Sequence, residues 1–323
     1  MRKIVFQILK IISFNYHFKK KKNSLLILMF HQVNNKAAVF YPPMPVSVFK
    51  ELCIYIKSNY EIITPSSIKL HFKASNKPAA IISFDDAHYD IMENAFPILS
   101  ELEIPFNVNV DTEILDTGKP QDFVRVYDIL NNTSIQEYTN SQYFSTPIII
   151  DKVNPMLTEN QFTNLLSSLS PEQKREVVID LAKVACMNND NYSKMLSKDD
   201  VQYLSSKGVE FGSHSHTHSI LSKISEEQLE YELKHSKQIL ESIIKKDINI
   251  LAYPNGLYNK NVKSVAKKIG YSIFLETDDK INYIDSNNKF TDSYTRVNQY
   301  HNNLNEALAH TYGITKYIKK LIP

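Results

Sequence analysis

The sequence predicts an α/β fold built on a parallel sheet or barrel. Apolar, β-branched runs of six or so residues recur along the chain, most of them followed by stretches with apolar residues at helical spacing. The strand runs are apolar on both faces, as strands covered on two sides are. At 323 residues the chain is long enough to bury a large core.

The runs "LLILMF" (25–30) and "AAIISF" (79–84) read as buried strands, with a helix over "VSVFKELCIYIKSN" between them. A helix near 89–103 then leads to the strand "PFNVNV" (105–110). Beyond residue 200 come "GVEFGS" (208–213), a long helix at about 225–246, "INILAY" (248–253), a helix near 259–269, and "YSIFLE" (271–276). The strand "YTRVNQY" (294–300) and a final helix close the chain. Residues at about 111–197 break the rhythm: they are rich in Asn and Ser, then helical at "SPEQKREVVIDLAKVA", where Ser170 caps and Pro171 takes the first helical position. This stretch reads as a helical insertion, structural padding with a small lid as the alternative.

Composition excludes some functions. A net charge of +2 and a single short basic run, Lys19 to Lys22, give no nucleic-acid footprint. The two cysteines, Cys53 and Cys186, lack metal-ligand spacing and read as inert thiols in a reducing compartment. Residues 1–22 form an amphipathic segment without a cleavage site, too short and broken to span a bilayer. They suit either peripheral membrane contact or packing on the body of the protein, residues 23–323. The expected location is the cytoplasm, at the inner-membrane surface, with extracellular action left open.

Chemistry concentrates at strand ends, where parallel α/β folds bind ligands. "ISFDDAHYD" puts Asp85 and Asp86 after a strand; adjacent carboxylates repel and call for a cation, though either could instead cap the next helix. His88 and Asp90 read as helix-start residues. "GSHSHTH" follows another strand. If it turns helical, His214 and His218 share a face; if it stays extended, His216 joins them, and spacing alone does not choose. One Asp and two His with an open position is the pattern of a catalytic zinc, with the leftover Asp85 as general base. In "LAYPNG", Pro254 and Gly256 fix a turn that can expose the backbone N–H of Asn255.

Together these stretches resemble the polysaccharide deacetylases with a NodB homology domain, carbohydrate esterase family 4: "SFDD" is similar to the first motif, "HSHTH" to the second, and "YPNG" to the third. The likeness extends over about 79–110 and 195–300. It implies a distorted, incomplete (β/α)7 barrel and one divalent metal ion, zinc with cobalt or nickel accommodated, held by Asp86, His214 and His218. It also implies Asp85 as general base, the Asn255 N–H in an oxyanion hole, and His216 as a bystander. The family's usual glycine after the aspartates is Ala87 here, tolerable in a turn that needs no positive φ. The arginine before the third motif, the Asp–Trp motif and the downstream Leu-x-His motif are missing. One branch, resembling biofilm poly-N-acetylglucosamine deacetylases, takes its acid from a histidine ending the first strand, which assigns His31 as general acid; Arg296 is expected to orient Asp85.

The expected function is removal of acetyl groups from an N-acetylated glycan, a hydrolysis of C–N bonds other than peptide bonds. Tyr253, Tyr258 and Tyr271 are candidate sugar-stacking residues, with core packing as the alternative. One rival takes "HSHTH" as the His-x-His of PHP-type phosphoesterases, which need two or three metals and more ligands. Another is a non-catalytic glycan-binding protein on the same scaffold.

Overall fold

The computed structural model describes residues 22–140, 142–187, 191–284 and 290–313. The amphipathic segment expected at 1–22 therefore lies, but for Lys22, outside the described residues. Seven parallel strands form the centre: β1 (Ser24–Phe30), β2 (Ala79–Phe84), β3 (Phe106–Val110), β4 (Glu210–Ser213), β5 (Ile250–Ala252), β6 (Ile273–Thr277) and β7 (Ser293–Asn298). Each pairs with the next in chain order, and β7 pairs back on β1. The ring is thus a closed (β/α)7 barrel rather than an incomplete one. The closing seam of β1 with β7 is short: Leu28 faces Val297 and Met29 faces Asn298.

Period-two alternation sorts each strand into an inner and an outer face. On β1, Leu26, Leu28 and Phe30 join the large cluster beneath the helices, while Leu25 and Ile27 join a separate one with Ala79, Ile81, Ile250, Ala252, Leu275 and Tyr294. This second cluster fills the N-terminal half of the barrel. The inner face of β2 continues through Ser83 to Asp85, and that of β3 carries Asn107 and Asn109, all four fully or almost fully buried. The interior therefore changes from an apolar floor to a polar ceiling at the C-terminal end.

Helices cover the outside. α1 (Val46–Asn59) lays Phe49, Leu52, Cys53 and Ile56 on the barrel, with Phe49 edge-on to Phe30 at 5.1 Å. The expected helix near 89–103 opens with a wider π turn, Ile91–Ala95, of the kind often found beside functional sites.

The insertion has its own core. Helices α2 (Asp122–Asn132), α3 (Pro155–Ser167) and α4 (Pro171–Val184) pack with an antiparallel hairpin, Glu137–Asn140 with Phe144–Ile149, around Tyr138, Phe162, Val177 and Leu181. Ser170 caps α4 in a reciprocal box with Gln173, and Pro171 sits at the first helical position. Phe40, from the loop after β1, is buried in this second core. α5 (Lys198–Ser206) returns the chain to β4, and α6 (Glu226–Ile244) follows that strand.

Gly212 on β4 lies opposite Asn109. A Cβ there would stand 2.4 Å from Asn109 Oδ1 and 2.8 Å from Ile250 Cγ2, so only glycine leaves room for the asparagine. Gly212→Ala should lower stability by about 1–3 kcal/mol, the usual cost of overpacking, as a shift in the urea midpoint. An unchanged midpoint would show that the interior yields where its packing says it does not.

Candidate metal and catalytic site

Asp85 and Asp86 leave the end of β2 in different directions. Asp85 stays inside the barrel. Its Oδ1 accepts from Arg296 Nη1 at 2.7 Å and from Asn109 Nδ2 at 2.7 Å. Burial opposes its charge, but the Arg296 guanidinium and the neighbouring His214 hold the carboxyl well below the usual carboxylate range. Arg296 is fully buried on β7; its Nε donates to the Glu276 carbonyl at 3.4 Å, which fixes the plane of the guanidinium. Asp85 Oδ2 is left free of these donors, 3.8 Å from His214 Nε2.

Asp86 and Ala87 then take φ of 66° and 53°, two successive left-handed residues. The turn does need positive φ, contrary to the condition set for Ala87, and a side chain there costs roughly 1 kcal/mol. Packing holds it: Gln121 Nε2 donates to the Asp86 carbonyl at 3.1 Å and the Leu196 N–H to the Ala87 carbonyl at 2.9 Å. The twist carries the Asp86 side chain out of the barrel toward the histidines. Its Oδ2 accepts from Tyr41 OH at 2.5 Å, while its Oδ1 is buried without a hydrogen-bond partner. Burial and the adjacent Asp85 raise the Asp86 carboxyl to about 6, although His214 pulls the other way.

The "HSHTH" segment is neither helical nor extended. Ser215 and His218 adopt φ of 68° and 56°, and the loop is tied by Glu232 of α6, which accepts from the N–H groups of His216 (2.8 Å) and Thr217 (2.9 Å) and from Thr217 Oγ1 (2.6 Å). This folding brings His214 and His218 together with ring centroids 4.8 Å apart. His216 turns outward: its Nδ1 meets Thr112 Oγ1 at 2.9 Å and its ring packs edge-on to His235. His214 Nδ1 donates to the Ala252 carbonyl at 2.9 Å, so its Nε2 presents a lone pair to the site. The Nε2 atoms of His214 and His218 each lie 3.5 Å from Asp86 Oδ1.

One carboxylate oxygen and two histidine nitrogens thus lie within 4.8 Å of one another; among the described residues this is the one group of three or more with such geometry. The additional ligands required by the phosphoesterase reading are missing from it. An unpartnered buried carboxylate oxygen between two imidazole nitrogens suits a cation, and the mixed O/N donors suit zinc, cobalt or nickel.

The other expected residues fall around this centre. His31, at the end of β1, lies edge-on to Tyr41 with centroids 5.4 Å apart, and burial lowers it to about 4 despite the pull of Asp85. Asn255 adopts φ 55° and lines a cavity of about 220 Å³ with Tyr41, Phe123 and His218. Tyr253 and Tyr271 are buried in the core, so their sugar-stacking role is corrected: both lie behind the strands. Tyr258 is exposed but stacks on Tyr253 at 4.4 Å.

Five residues at the site had not been singled out: Asn109, Asp111, Gln121, Tyr41 and Phe123. The alternation in "FNVNVD" was a usable signal for Asn109 and Asp111, since buried strands rarely carry polar residues at every second place. Gln121 donates to Asp111 Oδ2 as well as to Asp86, and Phe123 on α2 packs on the His218 ring at 4.6 Å. The insertion, read as padding, walls the site.

The chain is similar to known polysaccharide deacetylases. A polysaccharide deacetylase family model matches residues 155–274, which include the second and third motifs. YxkH of Bacillus subtilis (strain 168), a polysaccharide deacetylase by name, is 25% identical over 83 residues, 26% of this chain and 30% of that protein's length. Among solved structures, the Streptococcus pyogenes deacetylase PplD in complex with acetate superposes with a TM-score of 0.59 at 17% identity, covering 90% of this chain and 99% of the other. IcaB from Ammonifex degensii gives 0.52 at 13% identity, covering 79% and 84%.

Asp90, next to the site, is neither a ligand nor a simple helix start. Its Oδ2 accepts from Val33 N–H (2.8 Å) and Asn34 Nδ2 (2.7 Å), its Oδ1 is buried without a partner, and burial outweighs both donors to raise it to about 6. Because the folded chain keeps this proton up to about pH 6 and the unfolded chain only to about 3.8, folded stability should fall as pH rises between those values. Asp90→Asn should remove that loss, so its stability relative to wild type should improve by about 1–3 kcal/mol from pH 4 to pH 7. Denaturant titrations at both pH values test this; a pH-independent difference contradicts it. Over residues 155–274 the chain matches the polysaccharide deacetylase family model, and its fold is similar to that of solved deacetylases.

Proposed function

We propose that the chain is a metal-dependent hydrolase that removes acetyl groups from N-acetylated sugars of a polysaccharide or glycan precursor. The observation that carries this reading is the unpartnered Asp86 Oδ1 between His214 Nε2 and His218 Nε2, beside a second carboxylate held ionised by Arg296. Asp86, His214 and His218 would hold one divalent ion, zinc in our reading. Such an ion, when bound, supplies Lewis acidity that polarises a carbonyl and acidifies water.

The protein groups divide the remaining work. Arg296 and Asn109 both engage Asp85 Oδ1, which leaves its Oδ2 to take a proton from the attacking water. Burial keeps the His31 imidazole neutral near pH 7, so it must acquire a proton within the catalytic cycle before giving it to the departing nitrogen. That sequence fits a shuttle from the Asp85 side better than a permanently charged acid. The Asn255 N–H, on the turn lining the same cavity, is assigned to the developing oxyanion.

No helix among the described residues is long and apolar enough to cross a membrane. Attachment of residues 1–22 to the inner membrane, on the cytoplasmic side, is part of this proposal and would appear as salt-sensitive membrane fractionation.

Acetate release from N-acetylglucosamine oligomers tests the reading. Wild type should release acetate, lose activity to a chelator and regain it with zinc. Asp85→Asn should keep the ion and lose about 10²–10⁴-fold in rate, while His216→Ala should keep both ion and activity. Loss of the ion in His216→Ala would favour a phosphoesterase site, and metal binding without acetate release would favour a glycan-binding role.

A further inference from the structure

We infer that Tyr41 is a positioning residue for the metal ligand Asp86, and that the insertion holds it there; the inference rests on the metal-binding reading above. Tyr41 OH donates to Asp86 Oδ2 at 2.5 Å, which leaves Oδ1 as the single oxygen turned toward His214 and His218. A carboxylate with one oxygen so engaged binds a cation through the other oxygen only. Outer partners of this kind fix ligand orientation and commonly account for 10–100-fold in metal affinity.

Tyr41 has no strand or helix to hold it. It takes a φ of 52° in the long loop after β1, a conformation that a tyrosine keeps only under external constraint. That constraint comes from the insertion. Asn131 of α2 accepts from the Val39 N–H (2.9 Å) and the Phe40 N–H (3.0 Å) and returns a bond from its Nδ2 to the Phe40 carbonyl at 2.9 Å. Glu159 of α3 accepts from the Tyr41 N–H at 3.1 Å. Phe40 is fully buried in the insertion core, and the Tyr41 ring rests against Phe123 and Tyr127 of α2, both at 5.8 Å. Among the described residues, the hydrogen bonds and ring contacts that hold this loop segment come from the insertion, apart from the Asp86 bond and the contacts with His31 and His88.

The chemistry distinguishes positioning from simple support. Without the phenol, both Asp86 oxygens are free to turn on the ion, and a bidentate carboxylate raises its coordination number. Cobalt(II) reports this directly, because four-coordinate cobalt absorbs visible light far more strongly than six-coordinate cobalt.

The experiment titrates cobalt(II) into the metal-stripped full chain for wild type, Tyr41→Phe and Asn131→Ala, following binding by calorimetry and the visible band by absorption. Tyr41→Phe keeps the ring and its packing, so the melting temperature of the stripped protein should change little. Its cobalt affinity should fall about 10–100-fold and its band should weaken. Asn131→Ala should shift both readouts in the same direction by a smaller amount. Wild-type affinity and spectrum in Tyr41→Phe would overturn the role of Tyr41. A loss in Tyr41→Phe with no change in Asn131→Ala would overturn the role given to the insertion. Failure of wild type itself to bind cobalt would instead overturn the metal-dependent reading on which this rests.

Discussion

The site depends on a buried ion pair, Asp85 with Arg296, inside the barrel. A carboxylate enclosed by protein is tolerated only when opposite charge and hydrogen-bond donors replace water. Arg296 reaches across from β7 and Asn109 from β3, so one oxygen of Asp85 is satisfied from two strands. Neither could approach if the interior were filled with aliphatic side chains as its floor is. The ceiling is therefore polar, Gly212 is stripped of a side chain to admit Asn109, and the barrel closes at β7, the strand that delivers the arginine. Such a pair adds little net stability, but breaking it would strand a charge. Its value is orientation.

A fixed Asp85 forces the next residue outward. Two left-handed residues swing Asp86 toward the loop after β4, and the loop is folded to meet it by Glu232. The ligand cluster is thus assembled by three tethers that belong to other elements: the Ala252 carbonyl for His214, Glu232 for the histidine loop, and Tyr41 for Asp86. The tethers come from β5, from α6 and from a loop pinned to the insertion, so the candidate metal site draws on nearly the whole fold.

The sequence revealed a parallel α/β fold because its strands are apolar runs and its helices carry strong periodicity, both local signals, while the choice of barrel over open sheet came from the family resemblance. It also revealed Asp85, Asp86, His214 and His218, which are dense clusters of chemistry-bearing residues at strand ends. Tyr41 was invisible because its partner lies 45 positions away and the bond depends on a loop conformation imposed by a third segment. The strain at Ala87 was hidden for the same reason: the carbonyl tethers from Gln121 and Leu196 are distant. Tyr253 and Tyr271 misled because a tyrosine beside a strand end packs inward as readily as outward. The insertion hairpin was missed because "EYTN" and "FSTPII" are short and carry no regular apolar–polar alternation, and Pro147 interrupts the second.

The most direct test is diffraction from zinc-soaked crystals with anomalous data at the zinc edge. This account predicts one ion per chain, bonded to Asp86 Oδ1, His214 Nε2 and His218 Nε2, with Asp85 still bonded to Arg296 and Asn109 and outside the ion's coordination shell. An ion held by Asp85, a ligand drawn from His216, or a second ion in the cluster would contradict it.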